Sequence, residues 1–237
     1  MNKIVVCYQS LLGLYGDRGN AMVLRSRLAA RGFDAEIVEV EPGDEVPADG
    51  LVYLLGGGED AAQISAVRML KEDGNIFRAV DSGAVLFAVC AGYQIVGNTF
   101  TVGDDDQVID GLGLLDVDTR RGPERAVGEI LTHWDSPTGD YLITGFENHG
   151  GFTELGKGAK AFAQVEVGIG NRADGTEGAI SRTNPKIIGT YPHGPVLVRN
   201  PQLADYLLEL ALGVELDELP SEELDELRRQ RVAAVRR

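Results

Sequence analysis

Residues 85–94 read VLFAVCAGYQ, an apolar run that ends at a cysteine and is followed by two small residues. A short apolar run of this kind predicts a strand buried inside a parallel sheet. The small residues after it predict a sharp turn from that strand into a helix. Ligand sites of parallel sheets lie at the carboxyl ends of the strands. The stretch therefore predicts an α/β fold in which Cys90 stands at a strand-to-helix turn.

The first hundred residues repeat this alternation of strand and helix. We predict strands at residues 4–8, 35–40, 51–55 and 84–89, and helices at 21–31 and 61–71. Such alternation is typical of a mainly parallel central sheet flanked by helices. Shorter strand-like runs between glycine-rich turns follow at residues 113–119, 126–131, 141–146, 161–167 and 186–191. They predict antiparallel or mixed strands in the second half of the chain.

The pattern divides the chain into one domain, residues 1–212, and a charged helical extension, residues 213–237. Ser221 is a candidate N-cap of the extension, because two glutamates follow it and arginines come late, an order that complements the helix dipole. The extension is either a solvated terminal helix or a docking element for a partner.

Composition narrows the function classes. The chain has 237 residues and a formal net charge of −15, which argues against a nucleic-acid partner. No apolar run reaches the ~18 residues that span a bilayer, and the N-terminus enters a strand-like run without a signal-peptide pattern. Cys7 and Cys90 do not form a disulfide framework. We therefore expect a cytoplasmic protein.

The surroundings of Cys90 favour nucleophilic chemistry. A nucleophile elbow needs small flanking residues, and Ala88 and Gly92 provide them. The backbone N–H of Ala91 and the glycine triplet at residues 56–58 could form an oxyanion hole at this end of the sheet. The alternative is that Cys90 is a small buried hydrophobe, as free cysteines often are. We apply that interpretation to Cys7, which lies in the middle of a strand.

A thiolate enzyme needs a base, and the chain has three histidines. His133 lies at a strand end and turn, where a surface or core role is expected. His149 and His193 both end strand-like runs and are both followed by glycine. Either could lie over the sheet edge near Cys90, and spacing alone does not choose between them.

One near-motif bears on cofactors. Residues 151–158, GFTELGKG, resemble a phosphate-binding loop, but Gly158 stands where Ser or Thr should contact magnesium. We therefore expect no ATP site, no metal and no cofactor in this chain.

Four motifs in order carry a family resemblance. They are GGG at residues 56–58, VCAGYQ at 89–94, ENHGG at 147–151 and GTYPHG at 189–194. The chain resembles class I (triad) glutamine amidotransferases of the cobyric acid synthase-like branch, and within it the amidotransferase subunits of lipid II isoglutaminyl synthases. The early YGDRGN at residues 15–20 is also similar to those subunits. The resemblance covers residues 1–212 and implies a flavodoxin-like fold.

The resemblance implies a role for each motif. Cys90 would attack the side-chain amide of glutamine, and His193 would act first as base and then as acid. Backbone amides of Gly57 and Ala91 would hold the oxyanion. Many triad amidotransferases carry a glutamate two positions after the histidine, where this chain has Pro195. The group that orients His193 therefore stays open, and weak activity without a partner is expected.

Substrate-binding residues follow from the same resemblance. Arg125 is the position matching an arginine that binds glutamine in the family, and a guanidinium can donate two parallel bonds to a carboxylate. Arg120 and Arg121 compete with it for this role. The other implied substrate-binding residues are Gln94, Gly58, Asn148 and His149.

The resemblance also implies a partner. A separate Mur ligase-like synthetase, carrying ATP and magnesium, would form a heterodimer with this chain. It would use the ammonia to amidate D-glutamate of the lipid II stem peptide to D-isoglutamine, at the inner face of the membrane. The alternatives are a glutaminase for corrinoid amidation, a catalytically silent regulatory or binding module, and a cysteine peptidase or chaperone-like relative.

Overall fold

The computed structural model describes residues 1–13, 16–220 and 222–237, and within them the strands form a single sheet. The strands are β1 (Asn2–Cys7), β2 (Ala35–Val40), β3 (Val52–Leu55), β4 (Val85–Val89), β5 (Thr99–Val102), β6 (Gln107–Asp110), β7 (Val117–Ser136), β8 (Gly139–Leu155), β9 (Ala159–Val167), β10 (Thr176–Ser181) and β11 (Ile187–Thr190). The helices are α1 (Gln9–Leu12), α2 (Arg18–Ala29), α3 (Asp60–Asp73), α4 (Asn75–Asp81), α5 (Ala91–Val96), α6 (Val196–Arg199), α7 (Pro201–Leu212) and α8 (Glu222–Val235).

Half of the sheet is parallel. Its strands run in the order β2-β1-β3-β4-β11, and every neighbouring pair among them is parallel. This is the flavodoxin-like order, with its last position filled by a strand from late in the chain. Every residue of β3 and β4 is buried, as expected for strands in the centre of a parallel sheet. The predicted α/β fold class is confirmed.

The segment between β4 and β11 extends the sheet in the other direction. Strands β10, β9 and β7 continue from β11 in antiparallel pairs, and β8 pairs antiparallel with β7. The predicted strands at 113–119 and 126–131 were wrong as separate elements, because residues 117–119 and all of 126–131 lie in the 20-residue strand β7. A register shift between Arg121 and Ala126 interrupts the alternation that would have revealed one strand. The elements that the sequence did not predict are α1, α4, α6, β5, β6 and β10.

The C-terminal extension contains α8, whose proposed cap Ser221 lies outside the described residues. The helix contacts the antiparallel strands through polar groups. Arg228 Nη2 donates to the carbonyl of Leu142 at 2.6 Å, and Arg236 pairs with Glu166 at 2.6 Å. The predicted domain boundary between residues 212 and 213 stays a prediction.

Among the described residues, no helix combines the length and apolar character needed to cross a bilayer.

Close packing of α5 on the sheet depends on a glycine. Gly92 donates its N–H to the carbonyl of Gly56 at 3.0 Å. A Cβ on Gly92 would lie 2.5 Å from the carbonyl oxygen of Leu55, which is backbone and cannot move aside easily. A larger residue would therefore push α5 away from β3.

We expect Gly92→Ala to lower the free energy of unfolding by about 1–3 kcal/mol, because overpacking a well-packed core costs that much. Urea unfolding measures the change. Gly128→Ala is the matched control, because a Cβ on Gly128 in β7 would meet no atom within 4 Å. Equal stability of the two variants would contradict the packing argument.

Candidate active site

Cys90 occupies a strained turn between β4 and α5. Its φ of 54° and ψ of −108° lie in a region that residues with side chains rarely adopt. Such strain costs on the order of 1–3 kcal/mol and persists only where neighbouring structure enforces it. Here the N–H of Cys90 donates to the carbonyl of Thr190 at 2.8 Å. The turn has the elbow geometry that the small flanking residues predicted.

His193 reaches the same end of the sheet through the neighbouring strand. Strands β4 and β11 pair in parallel with Val89 opposite Thr190, so His193 follows directly beyond the level of Cys90. An antiparallel bridge fixes its backbone: His193 N–H donates to Phe146 O at 2.9 Å, and Phe146 N–H donates to His193 O at 3.1 Å. The side chain of His193 is only 3% exposed.

The charge of His193 is set by two neighbours. Burial lowers the pKa of His193, but the interactions with Asp17 and Cys90 outweigh it and raise the pKa to about 10. The folded state therefore binds this proton more tightly than the unfolded chain. The resulting stabilisation is complete below pH 6.5 and is lost as the pH rises through about 10. At neutral pH His193 is therefore an imidazolium.

The other histidines have different surroundings. His149 is buried and stacks on Tyr191 with ring centroids 3.6 Å apart, and its Nδ1 lies 2.9 Å from Gly151 O. His133 is exposed and lies 2.7 Å from Glu166 Oε2. The choice that spacing left open therefore falls on His193, because its pKa responds to Cys90.

The oxyanion prediction for Gly57 does not fit the structure. Its N–H donates to Asp17 Oδ2 at 2.8 Å, so the carboxylate already occupies this donor. Gly58 and Cys90 both line the same pocket. Ala91 is the first residue of α5, so its N–H has no acceptor one turn earlier in that helix. These two amides are the better-placed candidates.

A pocket of about 390 Å³ opens in front of Cys90. Its lining is mainly polar and comes from the start of α3, the elbow, and strands β5, β7 and β8: Gly58, Glu59, Asp60, Ala61, Gln63, Cys90, Gln94, Thr101, Arg121, Arg125, Asn148, His149, Gly150 and Gly151. All five residues predicted to bind substrate are among them. His193 is not among them.

Arg125 reaches the pocket because of the irregularity in β7. Arg121 pairs with Gly151 and Ala126 pairs with His149, so the intervening residues bulge opposite Gly150. Arg125 Nε donates to Asn148 Oδ1 at 2.7 Å, beside the backbone carbonyl that lies 3.9 Å from Cys90 Sγ. A carboxylate bound by Arg125 would therefore lie close to the thiol.

The competing arginines are engaged elsewhere. Arg121 also lines the pocket, but its Nε donates to Asp106 Oδ1 at 3.0 Å. Arg120 Nη1 donates to Thr99 Oγ1 at 2.7 Å and is absent from the lining. Among the three arginines, Arg125 is therefore the best placed to bind a substrate carboxylate.

Two buried polar side chains near the pocket were not found by sequence analysis. Gln63 donates to Gln94 Oε1 at 3.2 Å, and its own buried Oε1 has no hydrogen-bond partner among the described residues. Glu177 accepts from Thr190 Oγ1 and from Tyr191 N–H behind the site. Burial raises the pKa of Glu177 to about 7, although these bonds oppose the rise. Neither residue lies in a motif, so no local signal marked them.

Comparison with known protein families identifies the family of this chain. Residues 3–201 match the family described as "CobB/CobQ-like glutamine amidotransferase domain". The chain belongs to this family and is a glutamine amidotransferase, which confirms the resemblance carried by the four motifs.

Individual relatives give a narrower comparison than the family does. The "Lipid II isoglutaminyl synthase (glutamine-hydrolyzing) subunit GatD" of Staphylococcus aureus is 34% identical over 202 residues, covering 84% of this chain and 80% of that protein. Cobyric acid synthase of Sphingopyxis alaskensis is 32% identical over 179 residues, covering 73% of this chain but 34% of that protein. The structure of PurLQS from Thermotoga maritima covers 90% of this chain and 98% of that one, with a TM-score of 0.58 and 13% identity. This last likeness concerns the fold alone.

The interaction between Cys90 and His193 has a chemical consequence. We expect His193→Gln to slow alkylation of Cys90 by iodoacetamide about tenfold or more at pH 7, because an ordinary thiol is only a few per cent thiolate there. Mass spectrometry of the labelled peptide measures the rate. Cys7 is an internal reference that should stay unlabelled, since burial, with a smaller effect of the Asp73 charge, raises its pKa to about 12.

His133→Gln is the control for that measurement. It removes a histidine whose partner is Glu166 and should leave the alkylation rate unchanged. An unchanged rate in His193→Gln would show that His193 does not support a thiolate at Cys90.

Proposed function

We propose that this chain hydrolyses L-glutamine through Cys90 and passes the ammonia to a synthetase that amidates the lipid II stem peptide. The observation that carries the proposal is the strained turn that holds Cys90 beside His193, in a chain of the glutamine amidotransferase family. The GatD subunit of Staphylococcus aureus, of which the chain covers 80%, supports the choice of lipid II.

The first half-reaction makes a thioester. The Cys90 thiolate attacks the side-chain amide carbon of glutamine, and the N–H groups of Ala91 and Gly58 stabilise the oxyanion that forms. The imidazolium of His193 then gives its proton to the departing nitrogen as the carbon–nitrogen bond breaks. Ammonia leaves, and a glutamyl thioester remains on Cys90. The raised pKa of His193 suits this acid role, because the proton is present at neutral pH.

The second half-reaction returns the free enzyme. The neutral imidazole of His193 takes a proton from a water molecule as the water attacks the thioester carbon. The carbon–sulfur bond breaks and glutamate is released. Cys90 leaves as a thiolate beside the newly protonated His193, which restores the starting ion pair.

The pocket suits glutamine. Arg125 would bind the α-carboxylate, and Asn148 holds the guanidinium in place at 2.7 Å. Gln94 lies in the pocket wall near Cys90, and Gly151 leaves room for it, since a Cβ there would meet Gln94 Nε2 at 2.4 Å. Glu59 and Asp60 at the rim are acceptors of the right charge for the α-ammonium group.

The partner in this proposal is a Mur ligase-like synthetase that binds ATP and magnesium. The near-motif at residues 151–158 supports a separate ATP site, because Gly151 to Leu155 belong to β8 and are not a loop before a helix. The synthetase would activate the D-glutamate carboxylate, and this chain would work with it at the inner face of the membrane.

Corrinoid amidation is the second candidate, favoured by the cobyric acid synthase relative. The chain spans only about a third of that relative, compared with 80% of the GatD subunit. Lipid II is therefore the first choice. An assay of the chain with its co-purified synthetase, ATP and glutamine, offering either a lipid II stem peptide or a corrinoid acid, separates the two.

We expect Cys90→Ala to abolish glutamine-dependent amidation by the reconstituted pair while ammonium chloride still supports it. The thiol is needed only to release ammonia, and the synthetase uses ammonia from either source. Amidation measured with each nitrogen donor tests this. Glutamine-dependent turnover in Cys90→Ala would exclude Cys90 as the nucleophile.

We expect Arg125→Gln to raise KM for glutamine about tenfold or more with a smaller change in kcat. A lost charged hydrogen bond to a carboxylate is worth about 1.5–3 kcal/mol, and it acts on ground state and transition state alike. Steady-state glutaminase kinetics measure both constants. Arg120→Gln is the control, because Arg120 is bound to Thr99 outside the pocket. Equal KM values for both variants would contradict the assignment.

A further inference from the structure

The segment 16–20, GDRGN, packs against the chain that follows His193. A Cβ on Gly19 would lie 2.3 Å from Cγ of Pro195, so the start of α2 can contact Pro195 only because this residue is glycine. Asn20 Oδ1 accepts the N–H of Leu197 at 3.0 Å in a buried position. The first turn of α2 is thereby fixed against the segment that carries His193.

Asp17 lies in this segment and faces the imidazole. Its side chain is 6% exposed, and Oδ1 lies 3.6 Å from His193 Nδ1. This separation exceeds an ordinary hydrogen bond, as catalytic contacts often do before substrate binds. Among the described residues, the buried Oδ1 accepts no other hydrogen bond. One carboxylate oxygen is thus left for His193.

The second carboxylate oxygen of Asp17 is held by a backbone hydrogen bond. Oδ2 accepts the N–H of Gly57 at 2.8 Å, which fixes the plane of the carboxylate. Gly56 leaves room for it, since a Cβ there would lie 2.8 Å from Asp17 Cβ and Oδ2. A buried carboxylate without a positive partner is costly. An imidazolium beside it lowers that cost and is itself stabilised.

We propose that Asp17 is the positioning residue that orients His193 and stabilises its protonated form during glutamine hydrolysis. This inference rests on the proposed glutaminase function. Asp17 does not touch substrate; it acts through Nδ1 of His193, and the anchor at Gly57 makes its direction specific. Asp17 and Cys90 are titratable groups that raise the pKa of His193.

Asp17→Asn is the direct test, because asparagine keeps the shape and can still accept the Gly57 N–H. We expect the pKa of His193, followed by NMR of histidine-labelled protein from pH 6 to 11, to fall by about one unit or more, since a nearby opposite charge is worth 1–3 units. We expect kcat for glutamine hydrolysis to fall about tenfold or more with little change in KM. If Asp17 only supported folding, Asp17→Asn would not lower the pKa of His193. It also would not lower kcat while leaving KM unchanged.

Asp116→Asn is the matched control. Asp116 Oδ2 also accepts a glycine N–H, that of Gly158 at 2.8 Å, but it contacts neither His193 nor the pocket. It should leave the His193 titration and kcat unchanged.

Two results would overturn the inference. One is an unchanged His193 titration in Asp17→Asn. The other is a pKa near 6.5 for His193 in the wild-type chain, which needs no variant to fold. A wild-type chain that releases no glutamate, alone or with a synthetase, would refute the proposed function, and the two titrations would still decide the pairing of Asp17 with His193.

Discussion

The pairing of β4 with β11 is the constraint on which the candidate site depends. These strands are far apart in the sequence, yet they lie side by side in the parallel half of the sheet. Because Val89 lies opposite Thr190, their carboxyl ends stop at the same level, and Cys90 and His193 follow from them. A slip of one residue would turn the side chains of β11 to the other face. The bond from Cys90 N–H to Thr190 O fixes both the register and the strained turn.

The strain at Cys90 is maintained by a tightly packed surrounding. Gly92 allows α5 to approach β3, and Gly189 allows Tyr93 to lie over β11, where a Cβ would meet the ring at 2.0 Å. Behind the site, Glu177 binds the Thr190 hydroxyl and the Tyr191 N–H, so the polar groups at the end of β11 are satisfied. A buried, satisfied network of this kind holds a single geometry, which a nucleophile and its acid require.

Asp17 connects this geometry to the first strand of the sheet. It lies between β1 and α2, whereas Cys90 follows β4 and His193 follows β11, so residues that come after three different parallel strands contribute to one cluster. The sequence has Pro195 where many triad amidotransferases carry a glutamate. In the structure Pro195 packs on Gly19, and this contact lies beside the carboxylate of Asp17. A carboxylate from the connection between β1 and α2 thus faces the histidine.

The sequence by itself determined the four parallel strands of the first hundred residues and the turn at Cys90. Both are encoded locally, by the apolar runs and by the small residues around the cysteine. Only the tertiary structure shows that Cys90 and Asp17 both act on the pKa of His193, that Asp17 takes the Gly57 amide, and that a bulge in β7 brings Arg125 to the pocket. These contacts join residues distant in the chain, and their energies depend on burial and register. No local sequence pattern gives burial or register. The sequence could therefore identify the candidate site residues but not their relative positions.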